Sequence, residues 1–352
     1  MKPLLMNLFR IFLLLVIPLG ACASTYVDRR ESSPHFREGE FRNPVGQSNT
    51  FWDFLMMRIR TPWADWPEEV INEPAPRPPA YVDDGSIRVT HIIHSTVLIQ
   101  AGGINILTDP IYSERCSPVS FAGPKRVRKP GIKFEDLPKI DIVLISHDHY
   151  DHLDLPTIKK LMDRDQPKFY MGLGVGEHLE SLVEDQELNQ NSVQELDWWE
   201  RLELDTRLSI SFVPVQHFSG RTLTDRNTTL WGGFVVELDG RKIYFGGDTG
   251  YADHFKQTRD RFGPMDLSLL PIGAYAPRDF MRYAHLDPKE AVKAHQDLGS
   301  KKSIGIHYGS FHLTAEPIDE PPRLLRKELI ESKIDPNDFQ ALGFGQPLIL
   351  LP

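Results

Sequence analysis

The chain has 352 residues, of which 40% are hydrophobic and 25% charged, and its formal net charge is −9. That composition excludes a disordered chain, and the acidic balance excludes a broad basic field for nucleic acid phosphates. Only two cysteines are present, Cys22 and Cys116, which excludes a disulfide-stapled scaffold.

Lys2 and Arg10 flank a basic start, "IFLLLVIPLG" follows as an apolar run too short to span a bilayer comfortably, and "LGAC" closes it with small residues before Cys22. This pattern resembles a bacterial lipoprotein signal. Residues 1–21 are then a signal peptide, Cys22 is the acylated first residue of the mature chain, and the protein is anchored in the bacterial envelope, facing the periplasm or exterior. An ordinary cleaved signal and a short anchor are the rival readings. With Cys22 acylated, Cys116 has no disulfide partner and reads as a plain loop or core thiol.

Residues 22–50 are polar and aperiodic, and read as a tether. "FWDFLMMRIRTPWADWP" (51–67) predicts an amphipathic helix ending before Pro62 and packed on the domain's own core, with membrane contact as the rival reading. "NEPAPRPPAY" (72–81) is an extended connector, so 51–86 forms a helical and proline-rich extension. "PKRVRKP" (124–130) reads as a solvated loop, or else as a patch for an anionic head group.

From Ile87 onward nine strand-like runs recur, with helical patterns at 153–164, 251–261 and 287–298. Hairpins mixed with strand–helix units predict an α/β architecture over 87–352, two packed sheets with helices outside. "GLGVGEHL" (172–179) lacks the Lys-Ser/Thr pair of a phosphate loop and reads as a strand-to-helix turn.

The chemistry concentrates in "DIVLISHDHYDHLD" (141–154), where a β-branched run ends and releases three histidines and three aspartates after Ile145. In an extended segment His147 and His149 point to one side, and the turn after them brings Asp151 and His152 alongside. Two neighbouring metal ions fit this spacing. His217 in "ISFVPVQHFSGR", Asp248 in "KIYFGGDTGY" and His307 in "KKSIGIHYGSFH" each follow a strand-like run. Five histidines and two aspartates suit two zinc ions (Zn2+) sharing a carboxylate. Asp109 in "LTDP" reads as an acceptor for a ligand histidine or as a turn cap, and His285 in "RYAHLDP" as an aid to the leaving group or a locally bonded helix-entry residue. His94 reads as structural; His254 and His312 carry no assignment.

"TDPIYSERCSPVSFAGPKRVRKP", "LISHDHYDHLD", "LDWWE", "QHFSGRTLTD", "GGDTGY", "PIGAYAPRDFMRYAHLDPKEAV" and "KKSIGIHYGSF" together resemble the N-acylphosphatidylethanolamine-hydrolysing phospholipase D family of the metallo-β-lactamase superfamily. The resemblance runs from about Phe41 to the C-terminal end and omits the signal segment. It implies an αββα sandwich with two zinc ions, one held by His147, His149 and His217, the other by Asp151, His152 and His307, with Asp248 bridging. It further implies a membrane phospholipid substrate, hydrolysed by a metal-bridging hydroxide, with Asp151 and His285 as catalytic candidates. Hydrolysis of an ester, lactone or β-lactam is the rival activity on this fold; a zinc-stabilised, non-catalytic envelope lipoprotein is the rival of another class.

Overall fold

The computed structural model of the protein describes residues 28–43, 51–183 and 192–352. Cys22, the apolar run before it and the first part of the expected tether lie outside the described residues. Two seven-stranded sheets dominate. In spatial order the first is Pro347–Leu350, Ile87–Ile93, Thr96–Ala101, Ile104–Thr108, Ile142–Leu144, Lys168–Gly172 and Val193–Leu196. The second is Phe339–Gln340, Lys302–Ile306, Leu267–Pro271, Arg241–Phe245, Gly233–Leu238, Leu208–Val213 and Arg201–Glu203.

Side-chain alternation along each strand builds the layers. Val97 and Ile99 enter the core between the sheets while Leu98 enters the core on the other face, and Leu144 and Val143 divide in the same way. Across the inter-sheet core stand Phe212, Phe234, Phe245 and Leu269 of the second sheet. The outer face of the first sheet is covered by helix Leu155–Arg164 through Ile158 and Leu161. The outer face of the second is covered by His254–Phe262, Pro288–Leu298 and Glu320–Glu331 through Phe255, Val292, Leu325 and Leu329. Helix Pro288–Leu298 is punctuated at both ends: Asp287 accepts from the Glu290 amide at 2.8 Å, and Gly299 stops it at φ +59°. The order helix, sheet, sheet, helix is the αββα sandwich.

All nine expected runs form strands and all three expected patterns form helices. Strands such as Lys168–Gly172 and Pro347–Leu350, and helix Glu320–Glu331, were not expected. The prolines in "EPPRLLRKELIE" sit in the first helical turn, where the missing amide costs nothing, and Leu325 and Leu329 give the buried stripe.

Three segments differ from expectation. Residues 28–43 are no tether: they pack on the domain because Phe41 is fully buried in the inter-sheet core and Arg30 pairs with Glu177. The helix Phe51–Arg60 forms, yet Trp52, Met56 and Ile59, spaced i, i+4, i+7, face outward, with Trp52 and Ile59 each 70% exposed. "PKRVRKP" is a solvated loop only in part: Pro124, Lys125 and Lys129 are exposed, while Val127 and Arg128 are tied to the domain. Arg128 donates to the Gly309 carbonyl at 2.7 Å and to Asn72, and Val127 donates to Ser310, so the segment clamps the chain just after His307.

Because Phe41 fills the inter-sheet core, Phe41→Ala is expected to cost on the order of 3 kcal/mol of unfolding free energy in denaturant titration. A loss below about 0.5 kcal/mol, the usual bound for surface changes, would return residues 28–43 to the status of a tether.

Candidate metal centre

The site lies where strands of both sheets end. Strand Ile142–Leu144 delivers the loop of His147, His149, Asp151 and His152; Leu208–Val213 leads to His217, Arg241–Phe245 to Asp248, and Lys302–Ile306 to His307. Strand ends of α/β sheets collect ligands because their loops converge while the scaffold stays rigid. Glycine permits the closest approach. Gly247 has φ +54°, and a Cβ there would lie 2.5 Å from the Ser146 side chain, so only glycine lets the Asp248 turn meet the histidine loop.

Two sets of atoms converge. His147 Nε2, His149 Nδ1 and His217 Nε2 face one another, with 2.8 Å between the first two and 3.4 Å between the last two. Beside them, His307 Nε2 lies 3.3 Å and His152 Nε2 3.5 Å from Asp151 Oδ2. Asp248 stands between the sets, its Oδ2 lying 3.0 Å from His307, 3.2 Å from His152 and 3.9 Å from His217. These are the seven residues expected as ligands, brought together from four loops.

A second layer fixes the rings. Asp109 Oδ2 accepts from His152 Nδ1 at 2.6 Å and from Ser146 Oγ at 2.6 Å, and Ser146 Oγ in turn faces His147 Nδ1 at 2.8 Å. One buried carboxylate thereby orients two rings and leaves both Nε2 lone pairs pointing inward. His217 Nδ1 donates to the Ala284 carbonyl at 2.9 Å. Asp148, the residue between the first two histidines, accepts from the Gly220 amide and Thr229 Oγ1, both at 2.8 Å, and so ties the loops of the two sheets together.

The interior of the site is chemically unsatisfied. His152 Nε2, His307 Nε2, Asp248 Oδ1 and His285 Nδ1 are buried without a hydrogen-bond partner. Leaving such groups unpaired costs about 1–3 kcal/mol each, and a shared partner that accepts lone pairs from His152, His307 and Asp248 removes most of the cost. A divalent cation bound by nitrogen and oxygen is that partner, and the imidazole–carboxylate set suits zinc. Electrostatics agree. Burial opposes charge on His152, yet Asp248, Asp151 and Asp109 outweigh it and hold its pKa well above the ordinary value. Burial also opposes charge on Asp248, but His307, His152 and His285 hold its carboxyl well below the usual range. The carboxylates therefore demand positive charge at this point.

His285 is also brought in, its Nδ1 lying 3.8 Å from Asp248 Oδ2, and burial pushes its pKa down to about 4. His94, read from sequence as structural, is in fact at the centre: its Nε2 lies 2.9 Å from Asp151 Oδ2. Its signal was present, since it ends the strand Ile87–Ile93 as the other histidines end theirs. Asp109, His94 and His307 all have positive φ, at 33°, 52° and 60°. Such conformations cost of the order of 1–3 kcal/mol each in a non-glycine residue, and they cluster at functional sites. His254 bonds Thr249 and His312 stacks on Trp66 at 4.9 Å, outside both sets of converging atoms. Cys116 is buried and joins no cluster of metal-ligating groups among the described residues.

The model of a beta-lactamase superfamily domain matches residues 104–308. An uncharacterised Mycobacterium tuberculosis protein is 39% identical over 316 residues, 86% of this chain and 82% of its own. The N-acyl-phosphatidylethanolamine-hydrolyzing phospholipase D 1 of Caenorhabditis elegans is 38% identical over 273 residues, 75% of this chain and 76% of its own. Among solved structures, the isothiocyanate hydrolase from Delia radicum gut bacteria shares the fold, with a TM-score of 0.58 at 20% identity over 75% of this chain and 98% of that one. Converging ligand loops, the αββα sandwich and these relatives agree: the chain belongs to the beta-lactamase superfamily of metal-dependent hydrolases, within the N-acylphosphatidylethanolamine-hydrolysing phospholipase D family.

Proposed function

We propose that the protein is a zinc-dependent phosphodiester hydrolase of the phospholipase D type, acting on N-acylphosphatidylethanolamine-like lipids at a membrane of the bacterial envelope. The observation that carries this reading is the placement of Asp248 Oδ2 between two sets of inward-facing ligand atoms, in a chain related over three quarters of its length to a phospholipase D. His147, His149 and His217 would hold one ion, Asp151, His152 and His307 the other, and Asp248 both. Bound zinc supplies a water of lowered pKa and a Lewis acid for charge developing on phosphoryl oxygens.

Hydrolysis adds water across the bond between phosphorus and the ethanolamine oxygen, leaving phosphatidic acid and N-acylethanolamine. The alkoxide must leave with a proton. His285 is neutral at physiological pH, so it acts as a relay, taking a proton released from water at Nδ1 and giving one to the leaving oxygen. Acylated Cys22 would keep the enzyme on the lipid surface. The outward stripe of Trp52, Met56 and Ile59, with Arg58 and Arg60 on the same helix, supports contact with such a surface.

Incubating the detergent-solubilised full chain with envelope phospholipids should release phosphatidic acid and N-acylethanolamine by mass spectrometry, with loss on chelation and recovery on adding zinc. Turnover of a carboxylic ester reporter without any phosphodiester product would replace this reading by the esterase one, and bound zinc without any turnover by that of a binding lipoprotein. Asp248→Asn should keep the fold and lose zinc and activity together; full metal content with near-normal turnover would remove Asp248 from its bridging place. His285→Ala should lower turnover of an alkyl phosphodiester by roughly a hundredfold to ten-thousandfold, with a much smaller loss on an activated aryl substrate and unchanged zinc. Equal losses on both substrates would contradict the relay. Cys22→Ser should release the protein from membranes and leave turnover in detergent intact, whereas retention through a carbonate wash would point to the apolar segment as an uncleaved anchor.

A further inference from the structure

His94 belongs to no expected ligand set, yet few residues of the site touch more of it. Its side chain is 2% exposed and its Nε2 lies 2.9 Å from Asp151 Oδ2, the same oxygen that faces His152 and His307. Its main-chain carbonyl accepts from the His307 amide at 2.9 Å and from His91 Nε2 at 2.7 Å, and its amide donates to Ser310 Oγ at 3.0 Å. The His94 and His307 rings lie 4.0 Å apart, centre to centre. Both residues are left-handed, so the turn after strand Ile87–Ile93 and the turn after strand Lys302–Ile306 are bonded through their two strained residues. One sheet thereby holds the loop of the other.

We infer that His94 is a positioning residue for the ion at Asp151, His152 and His307: its Nε2–H holds the Asp151 carboxylate in its ligating rotamer while its carbonyl holds the His307 backbone. This rests on the reading of the site as a two-zinc centre. The direction of the bond follows from the partners, since an ionised carboxylate only accepts, so Nε2 carries the proton. Asp151 needs such a holder. It is the carboxylate nearest solvent among the ligands, at 15% side-chain exposure against 2% for Asp248, and no other described side chain outside the ligand set bonds it. The arrangement mirrors Asp109 on the other side, with the polarity reversed: there a carboxylate orients ligand imidazoles, and here an imidazole orients a ligand carboxylate. His94 cannot be replaced by just any polar residue, because the backbone is left-handed and the side chain must span to Asp151.

That pair of demands provides the test. His94→Asn keeps a residue that tolerates the left-handed conformation but is too short to reach Asp151, while His94→Gln restores an amide N–H at about the reach of Nε2. Zinc is titrated into the metal-free full chain of each, with circular dichroism as the check on folding. The wild type should take up two equivalents. His94→Asn should bind the first with unchanged affinity and the second roughly tenfold to a hundredfold more weakly, and His94→Gln should recover most of that loss. Cobalt substitution adds a spectroscopic readout: the second equivalent's d–d bands should be altered in His94→Asn and restored in His94→Gln. Two equivalents at wild-type affinity in a folded His94→Asn would overturn the assignment. A His94→Gln as weak as His94→Asn would also overturn it, making the ring itself a ligand rather than a holder. Failure of the wild type to bind two equivalents would instead bring down the two-zinc reading on which the inference rests.

Discussion

A single buried carboxylate organises this protein. Asp248 is 3% exposed, and its Oδ2 lies within 4 Å of imidazole nitrogens of His152, His217, His285 and His307, which reach it from four different stretches of chain. An ionised group so far from water is tolerated only with dense compensation, and here the compensation demands that both sheets aim their loops at one point. The core between the sheets fixes that aim: Val97, Ile99 and Leu144 of one sheet pack against Phe212, Phe234 and Phe245 of the other. Gly247 then lets the Asp248 turn approach Ser146 closely enough to complete the set. Packing, register and chemistry are thus successive consequences of one geometric requirement.

The N-terminal segment shows how far that requirement extends. Asn43 Nδ2 donates to the carbonyl of His217 at 2.6 Å and to the Tyr283 hydroxyl at 2.7 Å. A residue inside the expected tether therefore braces the main chain of a ligand, and Phe41 beside it holds the brace in the core. This couples the N-terminal segment to the candidate metal centre through ordinary burial and hydrogen bonds. Unsatisfied nitrogens and left-handed residues are costly, and they persist because the surrounding core is large and well packed.

Much of this was legible in the sequence, for identifiable reasons. The strand after Asp141 is short, β-branched and followed at once by titratable residues, so both its burial and its ligand loop could be read from "DIVLISHDHYDHLD". The ligand loops of His217, Asp248 and His307 were legible for the same reason. His94 was misread although it also ends a strand, because "HIIHST" holds no carboxylate and lacks the dense His/Asp run of the ligand loop; its role comes from Asp151, 57 positions away. The docked middle of "PKRVRKP" was missed because the partners of Arg128 and Val127, Gly309 and Ser310, are distant in sequence. Residues 28–43 were misread as a tether because a single buried aromatic, Phe41, leaves no periodic signature in so short a stretch. Local pattern reports local structure, whereas contacts across the sandwich leave no trace in spacing.

The most direct test of the two-zinc centre is a crystal structure of the metal-loaded protein with anomalous difference maps collected on either side of the zinc absorption edge. Two peaks that vanish below the edge are expected, one among His147, His149 and His217, the other among Asp151, His152 and His307, with Asp248 contacting both. A fully loaded crystal with no peak at either position, or with zinc held away from Asp248, would contradict it.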